Sequence, residues 1–162
     1  MAIPKAPMQI ISIDSARMPV DKDGYQYLLM IVDLFSKYIT ATALHDKTPK
    51  SFIGAFSKHW LSAHRKPYYL LSGQGSNVEE RVLRSFCEVF GIGRCRSTPY
   101  NSQENGFAER NIRNVKSILQ AVLLIRRLKQ SNWRKLLPVL VFALNCSESK
   151  ATKEIPGLWS MD

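Results

Sequence analysis

The sequence predicts an α/β domain in which a mixed, five-stranded sheet is flanked by helices. In the first third of the chain, apolar residues run or alternate at strand spacing. Beyond it they recur at helical spacing, interrupted by two short strand-like segments. The order strand, strand, strand, helix, strand, helix, strand, helix, helix describes one layered domain. With 162 residues, 45% of them hydrophobic, the chain can build a single core.

The first strand is read at Gln9–Asp14, a β-branched run that is followed by a polar connection to Asp23-Gly24, a strong turn signal. Tyr25–Leu34 is a second, almost wholly apolar strand, and Phe35-Ser36-Lys37 is the tight link to a third at Tyr38–Leu44. The period then changes. Thr48 is placed to cap a helix with Pro49 at its first position; Phe52, Phe56 and Trp60 form its core stripe, and Pro67 ends the segment. Tyr68–Leu71 is a short strand. Ser76 and Glu79 have capping-box spacing and open a second helix whose buried stripe is read as Val78, Val82, Phe86, Val89 and Phe90, stopped by Gly91 or Gly93.

A fifth strand is expected over Arg94–Thr98 and a polar loop over Pro99–Gly106. From about Asn105 to Leu128 a long helix carries Ile112, Val115, Leu119 and Val122 on one face and Arg110, Arg113, Ser117 and Gln120 on another. Trp133–Asn145 is the last helix, where Pro138 is expected only at a boundary or a kink. The organisation is then a short extension over 1–8, a core over 9–145 and a divergent or disordered tail over 146–162.

Lys plus Arg number 23 against 13 for Asp plus Glu, a net charge of +10 that favours a polyanionic partner. Cys87, Cys95 and Cys146 form no Cys-x-x-Cys pair and fit reduced thiols better than a disulfide framework or a zinc ribbon. His59 and His64 are five apart, off a common helix face, so no zinc site follows from them. The longest apolar runs fall well short of the ~20 residues of a membrane span. Met1–Gln9, with two prolines, has no apolar stretch of signal-peptide type, and the bare start suggests an excised domain.

Four segments carry a family resemblance: ISID at 11–14, DKDGYQYLLMIVDLFSKYI at 21–39, LLSGQGSN at 70–77 and STPYNSQENGFAER at 97–110. Together they resemble the integrase catalytic core of retroviruses and Ty3/gypsy retrotransposons, over about residues 8–145. The resemblance implies an RNase H-like fold and a metal-binding trio of Asp, Asp and Glu, with 35 residues between the last two. Asp14 matches the first and Glu109 the third. Gly73 stands where the family has its second Asp, and 35 residues lie between 73 and 109, so the register is kept and the carboxylate is lost.

In the family's chemistry two Mg²⁺ (or Mn²⁺) ions about 3.5–4 Å apart serve the attacking and leaving oxygens of a phosphoryl transfer. Glycine offers no side-chain oxygen, so Asp14 and Glu109 are left to hold at most one weak ion. The loop before the family's Glu helix usually reads His-Pro-Gln-Gly-Asn-Gly. Here it reads Asn101-Ser102-Gln103-Glu104-Asn105-Gly106, which adds a negative charge where the family touches DNA.

Each acid alone has a bland reading, Asp14 as a turn cap and Glu109 as a first-turn helix acid. Asp33 is read as a turn acid and not a ligand. Between 110 and 135 there are eight cations and no acid; a solvated helix face is the bland alternative to a phosphate-contacting one. The resemblance assigns DNA contact to Gln103, Asn105, Arg110, Arg113 and Lys116, without sequence preference, and implies self-pairing as a homodimer and a nuclear setting. Three functions stay open. One is a catalytically inactive, domesticated integrase core bound to DNA or chromatin. The second is an active Mg-dependent polynucleotidyl transferase in which Gly73 is an engineered change or is offset by Glu79 or Glu80. The third is a protein-interaction scaffold that uses the dimer surface without DNA.

Overall fold

The computed structural model describes residues 4–72, 77–96, 102–149 and 152–160, with backbone only at 77–80, 96, 102–109 and 160. Strands β1 (Ile10–Arg17), β2 (Tyr27–Asp33) and β3 (Ile39–Leu44) come first. Helix α1 (Pro49–Phe56) then runs into a π-helical turn, Ser57–Leu61, and is followed by β4 (Tyr69–Ser72), α2 (Asn77–Phe90) and β5 (Gly93–Arg96). Helix α3 (Ser102–Ile125) and helix α4 (Trp133–Cys146) complete the layers, and a 3₁₀ turn at Pro156–Ser160 follows. The sheet order is β3-β2-β1-β4-β5; β1–β2 and β2–β3 are antiparallel, β1–β4 and β4–β5 parallel. This is the mixed five-stranded sheet that the sequence predicts.

Strand β2 reads as a continuous apolar run because helices cover both of its faces. Leu29 and Ile31 join Ile11, Ile13, Phe56, Trp60 and Cys87 on one side. On the other, Leu28, Met30 and Val32 join Ile112, Val115, Leu119 and Trp133. Alternation along the strands therefore assigns α1 and α2 to one face, α3 and α4 to the opposite one.

Several local signals hold. The Thr48 side-chain oxygen accepts from the Ser51 N–H at 3.3 Å with Pro49 beginning α1. Gly24 takes a left-handed φ of +85° in the turn before β2. Asp33 is the turn acid expected: its carboxylate accepts from the Ser36 N–H and hydroxyl at 3.0 and 2.6 Å and from the Met8 N–H at 3.1 Å.

Others are corrected. In α2 the inward residues are Leu83, Phe86 and Cys87, whereas Val82, Val89 and Phe90 are exposed; Val78 lies among the residues described by backbone alone. Phe86 turns inward as expected, but the stripe followed the β-branched and aromatic residues and passed over Leu83 and Cys87, which share the face of Phe86 at i, i+3, i+4 spacing. Burial raises the Cys87 thiol above its ordinary value.

Pro138 lies inside α4, not at its boundary. It is tolerated there because only one helical hydrogen bond, to the Arg134 carbonyl, is forfeited, and that side of the helix is solvent-facing. The tail is also not structureless: Pro156 is buried and Trp159 meets Phe35 edge-on at 5.4 Å between ring centroids.

Candidate functional site

Asp14 lies within β1 and does not close it, since the strand continues to Arg17. Across the antiparallel pair it faces Met30; in the parallel pair its neighbour Ile13 faces Ser72, the last residue of β4. Asp14 therefore stands one residue beyond the end of β4. Its Oδ1 accepts from the Ser15 N–H at 2.7 Å, and the residue is half-buried. By alternation it points to the same face as Ala16, the face that α3 and α4 cover.

Glu109 is the eighth residue of α3, well inside the helix and not in its first turn. Its side chain and all of Gly73 lie outside the described residues. Ile112, three residues after Glu109, is buried in the cluster that also contains Met30, the partner of Asp14 across β1–β2. The helix that carries Glu109 and the strand that carries Asp14 thus meet on one face of the sheet. No set of three His, Cys, Asp or Glu side chains that could hold a metal occurs among the described residues.

The expected polar loop over Pro99–Gly106 is helical from Ser102, so Gln103 and Asn105 belong to the first turns of α3. A signal for this was present: Asn101 and Glu104 have the spacing of a capping box. Farther along, Arg110 and Arg113 are exposed together with Ser117 and Gln120, as the helical pattern predicts. Lys116 differs from them. It is half-buried, and its Nζ donates to the carbonyl oxygen of Arg17 at 3.2 Å.

Arg134 also leaves the cationic series. It is ion-paired with Asp21 and Asp23, and its guanidinium lies 4.2 Å from the Tyr25 ring centroid. Burial pushes Asp21 up, but donors from the Tyr25 N–H, Arg134 and the Asp23 N–H outweigh it and hold the carboxyl below its ordinary value. Beside it the Trp133 indole donates to the Pro19 carbonyl oxygen at 2.8 Å. This clamp joins the β1–β2 connection to α4. Sequence reasoning missed it, because the partners are more than a hundred residues apart.

His59 and His64 go separate ways, His59 to the Thr42 hydroxyl at 3.3 Å and His64 against the Trp60 and Tyr38 rings. No described helix is long and apolar enough to cross a membrane.

Comparison with known proteins matches residues 4–102 to the integrase core domain family. The Pro-Pol polyprotein of Simian foamy virus type 1 is 30% identical over 134 residues, 83% of this chain and 11% of that polyprotein. The Gag-Pol polyprotein of avian reticuloendotheliosis virus is 25% identical over 145 residues, 90% of this chain and 12% of its own length. The chain therefore spans about a tenth of the curated relatives it matches. Among solved structures, the HTLV-2 integrase catalytic core domain in complex with magnesium has a TM-score of 0.73 at 19% identity, covering 96% of this chain and 98% of that one. A simian T-cell lymphotropic virus intasome in complex with PP2A regulatory subunit B56 gamma gives 0.76 at 18%, covering all of this chain and 57% of that one. The sheet order and the two helical layers are those of the RNase H-like integrase core. The chain belongs to the integrase core domain family and is related to DNA integration enzymes.

Proposed function

We propose that this chain is a degenerate integrase core, a DNA-associated module that retains the fold but no longer performs strand transfer. The observation that carries the reading is the glycine at 73, which keeps the family's 35-residue interval to Glu109 and follows Ser72, the last residue of β4, in the sequence. β1 and the helix that carries Glu109 meet on one sheet face, and a carboxylate from each would suit a single hard cation, bound weakly through one or two carboxylates plus phosphate. When bound, Mg²⁺ would supply charge neutralisation at a phosphate. A two-ion clamp needs more oxygen donors than Asp14 and Glu109 bring.

The test is joining of labelled DNA ends by the pure protein in Mg²⁺ or Mn²⁺. We expect neither 3′ processing nor strand transfer, and metal-dependent joining would overturn the reading. Gly73→Asp should gain calorimetric Mn²⁺ binding if that one ligand is what was lost. No gain would indicate that the site has decayed more widely.

DNA contact is supported by the exposed Arg110 and Arg113 on the outer face of α3, with Gln103 and Asn105 in its first turns. Self-pairing is supported by α4, whose outward face is almost wholly apolar: Pro138, Val139, Phe142, Ala143 and Cys146 are exposed at i, i+3/i+4, i+7 spacing. Structures of the HTLV-2 catalytic core have been solved in dimeric and trimeric forms. Sedimentation equilibrium of the chain and of Phe142→Glu tests this; a monomer in both cases removes the pairing. A nuclear setting belongs to the same reading, and imaging of the tagged chain in cells checks it.

A further inference from the structure

The corner where α3 ends carries a surface that neither metal nor DNA accounts for. The last inward residue of α3 is Leu123; Leu124 and Ile125 follow it outward, 80% and 78% exposed, and Leu128 is exposed beyond them. Arg126, Arg127 and Lys129 are interleaved with these apolar side chains and are exposed too. A helix end with only a structural role would turn polar residues outward at 124 and 125.

The backbone of the corner adds a second observation. The Arg127 N–H bonds to the Leu124 carbonyl at 3.0 Å and the Leu128 N–H to the Leu123 carbonyl at 2.8 Å, with Arg127 left-handed at φ +52°. This is the Schellman ending, and its left-handed position is where glycine is least strained. The chain uses glycine there when ending α2: Gly91 has φ +60°, with Gly91 N–H to Glu88 and Ile92 N–H to Cys87. At the end of α3 the same geometry is kept with an arginine, at the cost of backbone strain.

We propose that this corner is a docking surface for an acidic, amphipathic helical segment of a partner protein. The three cations require negative charge opposite them, and the three aliphatic side chains require something apolar. Phosphate contacts satisfy only the first, so duplex DNA leaves Leu124 and Ile125 in water. A membrane-surface helix spreads its apolar face over several turns, whereas here it spans about one. Two copies of the corner would set like charges against each other, on a chain that already carries +10. An acidic amphipathic helix meets both demands.

The experiment selects binders to the full chain from a displayed library of short helical peptides bearing Asp or Glu on one face and Leu, Phe or Met on the other. Selected peptides are then measured by fluorescence anisotropy. The expected result is a peptide whose affinity falls about tenfold or more with L124S/I125S, and similarly with R126E/K129E. R127G should leave the melting temperature unchanged or higher while weakening the peptide. Duplex DNA affinity should be unaffected by L124S/I125S. The proposal is overturned if no selected peptide depends on Leu124 and Ile125. It is equally overturned if L124S/I125S instead abolishes binding to phosphatidylserine vesicles, or abolishes self-association.

Discussion

Lys116 on α3 and Arg17 at the end of β1 are joined by a hydrogen bond, Lys116 Nζ donating to the Arg17 carbonyl oxygen at 3.2 Å. It ties the strand of Asp14 to the helix of Glu109, three residues beyond the one and seven beyond the other. Lys116 is therefore first a staple between the two elements that carry Asp14 and Glu109. Replacing it with Ala should cost about 0.5–1.5 kcal/mol of stability, the net worth of one such bond. Urea unfolding reads this directly, and an unchanged midpoint would reduce Lys116 to a surface cation.

Arg110 and Arg113 project, exposed, from the outer face of α3. Each Ala variant should weaken duplex DNA binding uniformly across sequences and reduce the slope of log K against log salt by about one. Binding measured over a salt series decides it; an unchanged slope in both variants places the DNA elsewhere on the molecule.

Asn145 fastens α4 to the edge strand. Its Oδ1 accepts from the Ile39 N–H at 2.8 Å and its Nδ2 donates to the Ile39 carbonyl at 2.7 Å, with the side chain buried. Asn145→Ala strands two backbone groups at once and should cost about 2–4 kcal/mol. Asn145→Asp should be at least as harmful, since it replaces the donor with an acceptor facing Ile39 O. Denaturant midpoints test the order, and hydrogen exchange at the Ile39 amide should accelerate in both.

Strong acid should loosen the start of α1. Asp46 is held at about 2, chiefly by the Thr48 hydroxyl, then by Ser51 and the Thr48 N–H. Its folded value lies below the ordinary 3.8, so its contribution is complete above that value and disappears as the pH falls towards 2. Asp21, also depressed, loses its pairing with Arg134 on the same side of the scale. Asp46→Asn should flatten the pH dependence of stability in this acid range; a curve that superposes on that of the parent chain would remove Asp46 from the account.

His64 acts at milder pH. Burial lowers it below 6.5, with the Asp33 charge opposing, so protonation is disfavoured in the folded state. The stability it permits is present above 6.5 and is lost as the pH falls through the lower, folded value. His64→Phe should keep the ring contacts with Trp60 and Tyr38 and remove this slope, which thermal melts across the range would show.

Much of the fold was legible because the governing signals are local. Thr48-Pro49 marks a helix start by itself, Asp23-Gly24 a turn, and Ile112, Val115 and Leu119 a helix face. The candidate site was read from the sequence alone: the family resemblance selects Asp14, and the 35-residue interval pairs Gly73 with Glu109. What the sequence concealed depends on residues distant along the chain. The outward turn of Val82 and Val89 follows from what α2 packs against, and the pairing of Arg134 with Asp21 and Asp23 joins the two ends of the domain. A cation committed to carboxylates looks the same in sequence as one facing solvent.

The amide of Asn145 copies the pair of bonds that a neighbouring strand would make with Ile39. An incoming β-segment from another molecule finds that rung already taken, with α4 packed against β3. The rim of the sheet is thereby denied to runaway strand-by-strand growth, and loss of one side chain would open it to fibre formation as well as to unfolding.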